Sequence, residues 1–246
     1  MKKQKISIKG GLLLFLLFSL IPALNSQLYA QEKNVTPTNK EGMSIGVRFG
    51  YSSSAFHNHY YERISEEKIG YSAGIFLNYG ITGFLSVSAE ALYVRQGARD
   101  FDPDYIFIEN NTVNNKIINS NITSHTIEFP VFINYPIFLS ETIIPKVYVG
   151  GAYNLNLYSE SHNYLFESGT GIISEDFQDV TPRFVYHDFA AIAGSGVNVI
   201  SGNFVLSVDV RYRMGLMNIN NTESLMFDNT LYNHSFSLLL GVGYKF

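Results

Sequence analysis

The sequence predicts an all-β fold, an eight-stranded antiparallel up-and-down transmembrane β-barrel. Three observations carry that expectation. Eight stretches alternate bulky apolar residues with small or polar ones at period two, the signature of strands with two different faces. The connections between them run short and long in strict alternation, as in a barrel with one tight rim and one elaborated rim. The bulky face carries almost no charge, while ions gather on the small-residue face. A soluble barrel would show the opposite arrangement, with its charges outside.

Residues 1–30 read as a secretory signal peptide. Lys2, Lys3, Lys5 and Lys9 precede the apolar run 11–24, and Ala30 stands at a cleavage position. That run has 14 residues and contains Pro22, short of the ~20 that a spanning helix needs. The chain has no cysteine, which excludes disulfides, thiolate metal sites and a lipid-anchored cysteine. Residues 31–42 are polar and read as a mobile periplasmic lead-in, and 43–246 as the barrel.

The strands follow in order. Residues 43–52 set Ile45, Val47, Phe49 and Tyr51 against Ser44, Gly46, Arg48 and Gly50. Residues 69–80 set Tyr71, Ala73, Ile75, Leu77 and Tyr79 against Gly70, Ser72, Gly74, Phe76 and Asn78. Residues 84–96 set Leu85, Val87, Ala89, Ala91 and Tyr93 against Ser86, Ser88 and Glu90. Residues 125–135 set Ile127, Phe129, Val131, Ile133 and Tyr135 against Thr126, Glu128 and Asn134. Pro130 falls inside this fourth stretch and cannot donate to a ladder, so a bulge or a break is expected there. Residues 146–158 set Val147, Val149, Tyr153, Leu155 and Leu157 against Lys146, Gly150, Asn154 and Asn156. Residues 184–199 alternate least cleanly. Residues 203–214 set Phe204, Leu206, Val208, Val210 and Tyr212 against Ser207, Asp209, Arg211 and Arg213. The last stretch, 235–246, sets Phe236, Leu238, Leu240, Val242, Tyr244 and Phe246 against Ser235, Ser237, Leu239, Gly241, Gly243 and Lys245.

Connections at 81–83, 136–144 and 200–202 are short, and those at 53–68, 97–124, 159–183 and 215–233 are long. An even strand number puts both termini on the short-turn side, which in outer-membrane barrels is periplasmic, with the long loops extracellular. Composition agrees. The chain has 17 Tyr and 19 Phe, and only 15% of it is charged, against about 25% in soluble domains. Tyr51, Tyr79, Tyr135, Tyr212 and Tyr244 fall near strand ends, where interfacial girdles form. The basic residues of the leader hide an acidic remainder, and no basic face suggests nucleic acid.

An eight-stranded lumen is just filled by side chains. The charges predicted to face it are Arg48, Glu90, Glu128, Lys146, Asp209, Arg211, Arg213 and Lys245, with Asp188 a candidate fourth acid. Charges held in a dry interior must pair, so these residues read as a structural network, and the narrow lumen argues against a channel.

The sequence offers no catalytic, cofactor-binding or metal-binding set. Lipid-modifying barrels need a serine nucleophile with a histidine base and an orienting acid. His125, His187 and His234 fall near the outer ends of strands, next to Ser124, Asp188 and Ser235. Adjacent strand residues point to opposite faces, so no such pair is itself a dyad. His57 and His59 form a His-x-His pair in the first long connection, without further ligands, and His162 lies in the third. The Asn-x-Thr triplets at Asn110 and Asn121 read as chance. Tyr105, Phe107, Tyr164 and Phe166 form a binding surface or pack the loops over the barrel mouth.

Five segments resemble the PorT-like outer-membrane β-barrel family of Bacteroidota: AEALYVRQGA (89–98), IEFPVFINYPI (127–137), GGAYNLNL (150–157), DVRYRMGLMN (209–218) and LGVGYKF (240–246). The resemblance implies a non-enzymatic barrel in the bacterial outer membrane with a role linked to protein secretion. Expected partners are outer-membrane lipid, lipopolysaccharide, the barrel-assembly machinery that reads a terminal aromatic strand, and other envelope proteins. A lipid-directed hydrolase or acyltransferase and a small pore are the alternatives.

Overall fold

In the computed structural model the described residues are 42–58, 65–101, 115–137, 140, 142–167, 173–221 and 230–246. The expected signal peptide and all but Gly42 of the expected lead-in lie outside them. The described strands are β1 (Met43–His57), β2 (Glu66–Thr82), β3 (Leu85–Phe101), β4 (Asn115–Pro136), β5 (Ile143–Glu167), β6 (Ile173–Asp179), β7 (His187–Ser201), β8 (Phe204–Gly215) and β9 (Tyr232–Lys245).

Eight of them close a ring. Antiparallel pairing runs β1–β2–β3–β4–β5–β7–β8–β9, and β9 pairs back onto β1 from Ser44↔Lys245 to His57↔Tyr232. Closure satisfies the edge groups of both terminal strands. The ninth strand, β6, stands outside the ring. Among the described residues it pairs only with the outer part of β5, from Glu160↔Asp179 to Phe166↔Ile173, inside what the sequence presents as a long connection. β4 pairs with the other side of that same part of β5, so the sheet extends beyond the ring's rim as a three-stranded finger.

The facing follows the alternation. Ile45, Val47 and Phe49 of β1 and Phe236, Leu238 and Leu240 of β9 are all 46–54% exposed, whereas Arg48 and Leu239 are buried. Bulky apolar groups thus cover the outside. The small residues inside have a specific use. A side chain at Gly46 or Gly243 would meet the Phe76 ring at 2.6 or 2.8 Å, and one at Gly194 would collide with Tyr148. These glycines form troughs in which the few large inward rings lie. Replacing Gly243 by leucine should cost about 1–3 kcal/mol through overpacking, read as a lower urea midpoint with unchanged slope.

Two corrections concern the ladders. Pro130 causes neither bulge nor break: it keeps register with Ala152 of β5. Towards β3 the pairing simply lapses between Ala89↔Val131 and Leu92↔Glu128, without a register shift. The bulge lies four residues further out, between His125↔Tyr158 and Thr126↔Asn156. The sixth wall strand begins at His187, because residues 184–186 belong to a cap described below. At the tight rim Gly202 has φ 59° at the first central position of the β7–β8 turn, a conformation open to glycine.

Candidate functional site

The lumen has three storeys, each built from inward residues of several strands. The middle storey holds the charges. Glu90 of β3 accepts from Arg48 of β1 and from Arg211 of β8, the latter through Nη1 at 3.1 Å and Nη2 at 3.0 Å. Asp209 lies between Arg48 Nη2 and Lys146 Nζ, each at 2.9 Å. Arg213 joins Glu128 at 2.9 Å and Asp188 at 2.8 Å. In the orientation that satisfies both of its polar atoms, the Asn154 amide donates to Glu128 at 2.9 Å and accepts from Arg213 at 2.7 Å.

The bridges form two neighbouring sets, Arg48, Arg211 and Lys146 with Glu90 and Asp209, and Arg213 with Glu128 and Asp188; together they hold four bases and four acids, so their formal charges balance. Of the eight lumenal charges expected from the sequence, seven come together here. Lys245 does not; it lines the cavity at the short-turn end beside Ser44 and Asn198. Asp188 takes its place and supplies the balancing acid. The rings in the glycine troughs cover the cations. The Arg48 guanidinium carbon lies 5.0 Å from the Phe76 centroid, and that of Arg211 lies 4.5 Å from Phe132 and 5.7 Å from Tyr148, within cation–π range.

The outer storey is apolar. Phe56, Ala98, Ile122, Val180, Phe184, Ile219 and Leu231 form one buried cluster. They come from β1, β3, β4, the segment after β6 and the chain on either side of the last long connection. A 3-10 turn at Thr181–Arg183, with Val180 N–H donating to Ser159 O at 2.9 Å and Val185 N–H to Ile219 O at 3.0 Å, lays Phe184 across the mouth. The sequence gives no sign of this cap. Here the polarity inverts: Phe56 and Ile122 point inward where lower rows point small residues inward.

Among the described residues, cavities of about 60, 20 and 40 Å³ lie at the short-turn end, beside Arg211 and Arg213, and under the cap. At one water per ≳10–15 Å³ each has room for only a few.

The described histidines bond to tyrosine, to glutamate and to one another. His125 Nδ1 meets the Tyr93 hydroxyl, His187 Nδ1 meets the Tyr153 hydroxyl at 2.6 Å, and His162 Nε2 meets Glu175 at 3.0 Å. His57 Nδ1 lies 3.2 Å from His234 Nδ1. None of these bonds involves a serine hydroxyl. His59, Tyr105, Phe107 and Asn110 lie outside the described residues. Tyr164 and Phe166 do not cover the mouth: they lie on the finger, where Phe166, Ile173 and Phe177 are 38–67% exposed and His162 stacks on Phe177 at 4.1 Å.

The family comparison agrees with this architecture. The profile described as outer membrane protein beta-barrel domain matches residues 29–221, more than half of the chain. Curated proteins give no match. Among solved structures, the chain is similar to the attachment invasion locus protein Ail of Yersinia pestis (14% identity, covering 84% of this chain and 100% of that one, TM-score 0.38). It is also similar to OprG of Pseudomonas aeruginosa (12%, 85% and 98%, TM-score 0.45) and to the outer membrane enzyme PagL (15%, 79% and 97%, TM-score 0.39). At these identities the likeness concerns the fold.

Proposed function

The chain belongs to the outer membrane protein beta-barrel domain family, and from that premise we propose that it is a non-enzymatic barrel of the bacterial outer membrane that works through its elaborated rim. The observation that carries this reading is the filled lumen: a neutral network of buried ion pairs beneath a packed apolar cap. A lumen so filled favours neither conduction nor solute binding. The surface left for recognition is the rim with the β4–β5–β6 finger. The short turns then face the periplasm with both termini, and the finger faces outward. The resemblance of five segments to PorT-like barrels favours an accessory role in protein secretion, with other envelope proteins as partners.

Two measurements test this. Planar bilayers carrying the purified protein are expected to show no conductance steps; regular steps would replace this reading with a pore. Cells carrying His125→Ala, His187→Ala or His234→Ala are expected to keep the lipid profile of the parent. A lipid species that changes with one of these substitutions would instead establish an outer-leaflet hydrolase or acyltransferase. Partners are sought by pull-down of intact complexes from outer membranes. Replacement of residues 162–177 by a short turn is expected to abolish capture while leaving the barrel folded.

A further inference from the structure

The geometry points to a divalent transition-metal site, suited to Zn²⁺ or Cu²⁺, made by His57 of β1 and His234 of β9 where the two terminal strands close the barrel. His234 is paired opposite Ala55, and His57 opposite Tyr232. The two imidazoles thus sit on the same outer face of adjacent strands, on a diagonal, beyond the exposed apolar rows that end at Tyr51 and Phe236.

The Nδ1 atoms are 3.2 Å apart. A tetrahedral ion with two Zn–N bonds of 2.0–2.1 Å spans about 3.3 Å between its ligand nitrogens. The pair is therefore already at the bite of a metal, before any backbone movement. The rings meet edge-on, with centroids 5.1 Å apart and planes at 62°. Tyr232 packs on His57 at 5.6 Å and limits the rotamers of that ring.

The electrostatic setting suits a cation. Glu67, held by a 2.7 Å hydrogen bond from Ser53 Oγ, contributes negative charge nearby. Two protein ligands leave the other coordination positions to water, so the site is of the loading kind and not of the closed structural kind.

This site is independent of the proposed role of the finger and lumen. The test uses protein purified from outer membranes without an affinity tag and treated with chelator. Calorimetric titration with ZnCl₂ is expected to show one ion per chain. His57→Ala and His234→Ala should each weaken binding at least tenfold, and the double variant little more than either alone. His125→Ala and His187→Ala should leave it unchanged. Folding of each variant is checked by heat-modifiable gel migration, and His234→Asn replaces His234→Ala if that protein fails to fold. Loading with CuCl₂ should give electron-spin-echo modulation from two imidazoles, falling to one in either single variant. Absence of binding to the parent protein would overturn the proposal. So would binding that survives loss of His234 but not of His59, which would mark the sequence-local His57–His59 pair instead.

Discussion

Glu90→Ala should destabilise the barrel by about 3–5 kcal/mol, the cost of breaking a buried ion pair from one side. Glu90 is the acid shared by Arg48 and Arg211, and its side chain is 1% exposed. Its loss leaves Arg211 without the carboxylate that grips both of its terminal nitrogens, inside walls made by Phe132 and Tyr148. Arg48 retains Asp209. The unpaired guanidinium, not the lost bond, dominates the penalty, and that distinction is testable. Removing both partners, in Glu90→Leu with Arg211→Met, should recover much of the loss, because a matched apolar pair replaces a pair whose desolvation was costly. Urea unfolding in lipid vesicles, followed by tyrosine fluorescence, gives both values. A cost below about 1 kcal/mol for Glu90→Ala would mean that water reaches these charges and that the lumen is not sealed. The same assay separates the network into its parts. Asp209→Asn should behave like Glu90→Ala, since Asp209 serves both Arg48 and Lys146.

The limits of the sequence follow from the same physics. Period-two alternation exposes a strand only where its two faces differ in polarity. Along Ile45–Tyr51 and Phe236–Tyr244 they differ sharply, because one face meets an apolar surround and the other a crowded lumen. Above Ser52 and Gln96 the difference fades. Ser53, Ser54 and Ala55 of β1 are all small, yet all lie in the strand. At Phe56 and Ile122 the large group points inward. The outer halves of β3, β4 and β5 therefore read as loop, and β6, with Glu175, Asp176 and Asp179, has no apolar face to show. The interior ions were legible because charge on a lumenal face has few explanations. Which acid balanced which base was not. Asp188 lay in the least regular stretch, and Lys245 shares the parity of the lumenal row but sits at its last step, where the row opens into a cavity. The cap needed residues from six places in the chain, and no local pattern joins them.

Leu240→Arg supplies the second large effect, and it separates lipid from water as the medium around the ring. Leu240 is 48% exposed and stands between Phe49 of β1 and Val208 of β8, near the middle of the apolar rows. On a water-facing surface an arginine here would change stability by no more than about 0.5 kcal/mol. In a bilayer the guanidinium must be carried to the midplane, at about 2–4 kcal/mol, whereas near an interface the cost falls to ~0–1 kcal/mol. The expected result is a gradient. Leu240→Arg and Val208→Arg are severe in vesicles, Met43→Arg at the rim is mild, and Phe177→Arg on the finger is neutral. Exposure alone cannot produce that order, since Met43, 42% exposed, would then be less tolerant than Leu240 and Val208, each 48% exposed. Only depth in a hydrocarbon layer ranks them so. Equal tolerance at Leu240 and Phe177 would place both in water, and a ring with an apolar exterior would then need a protein partner to cover it.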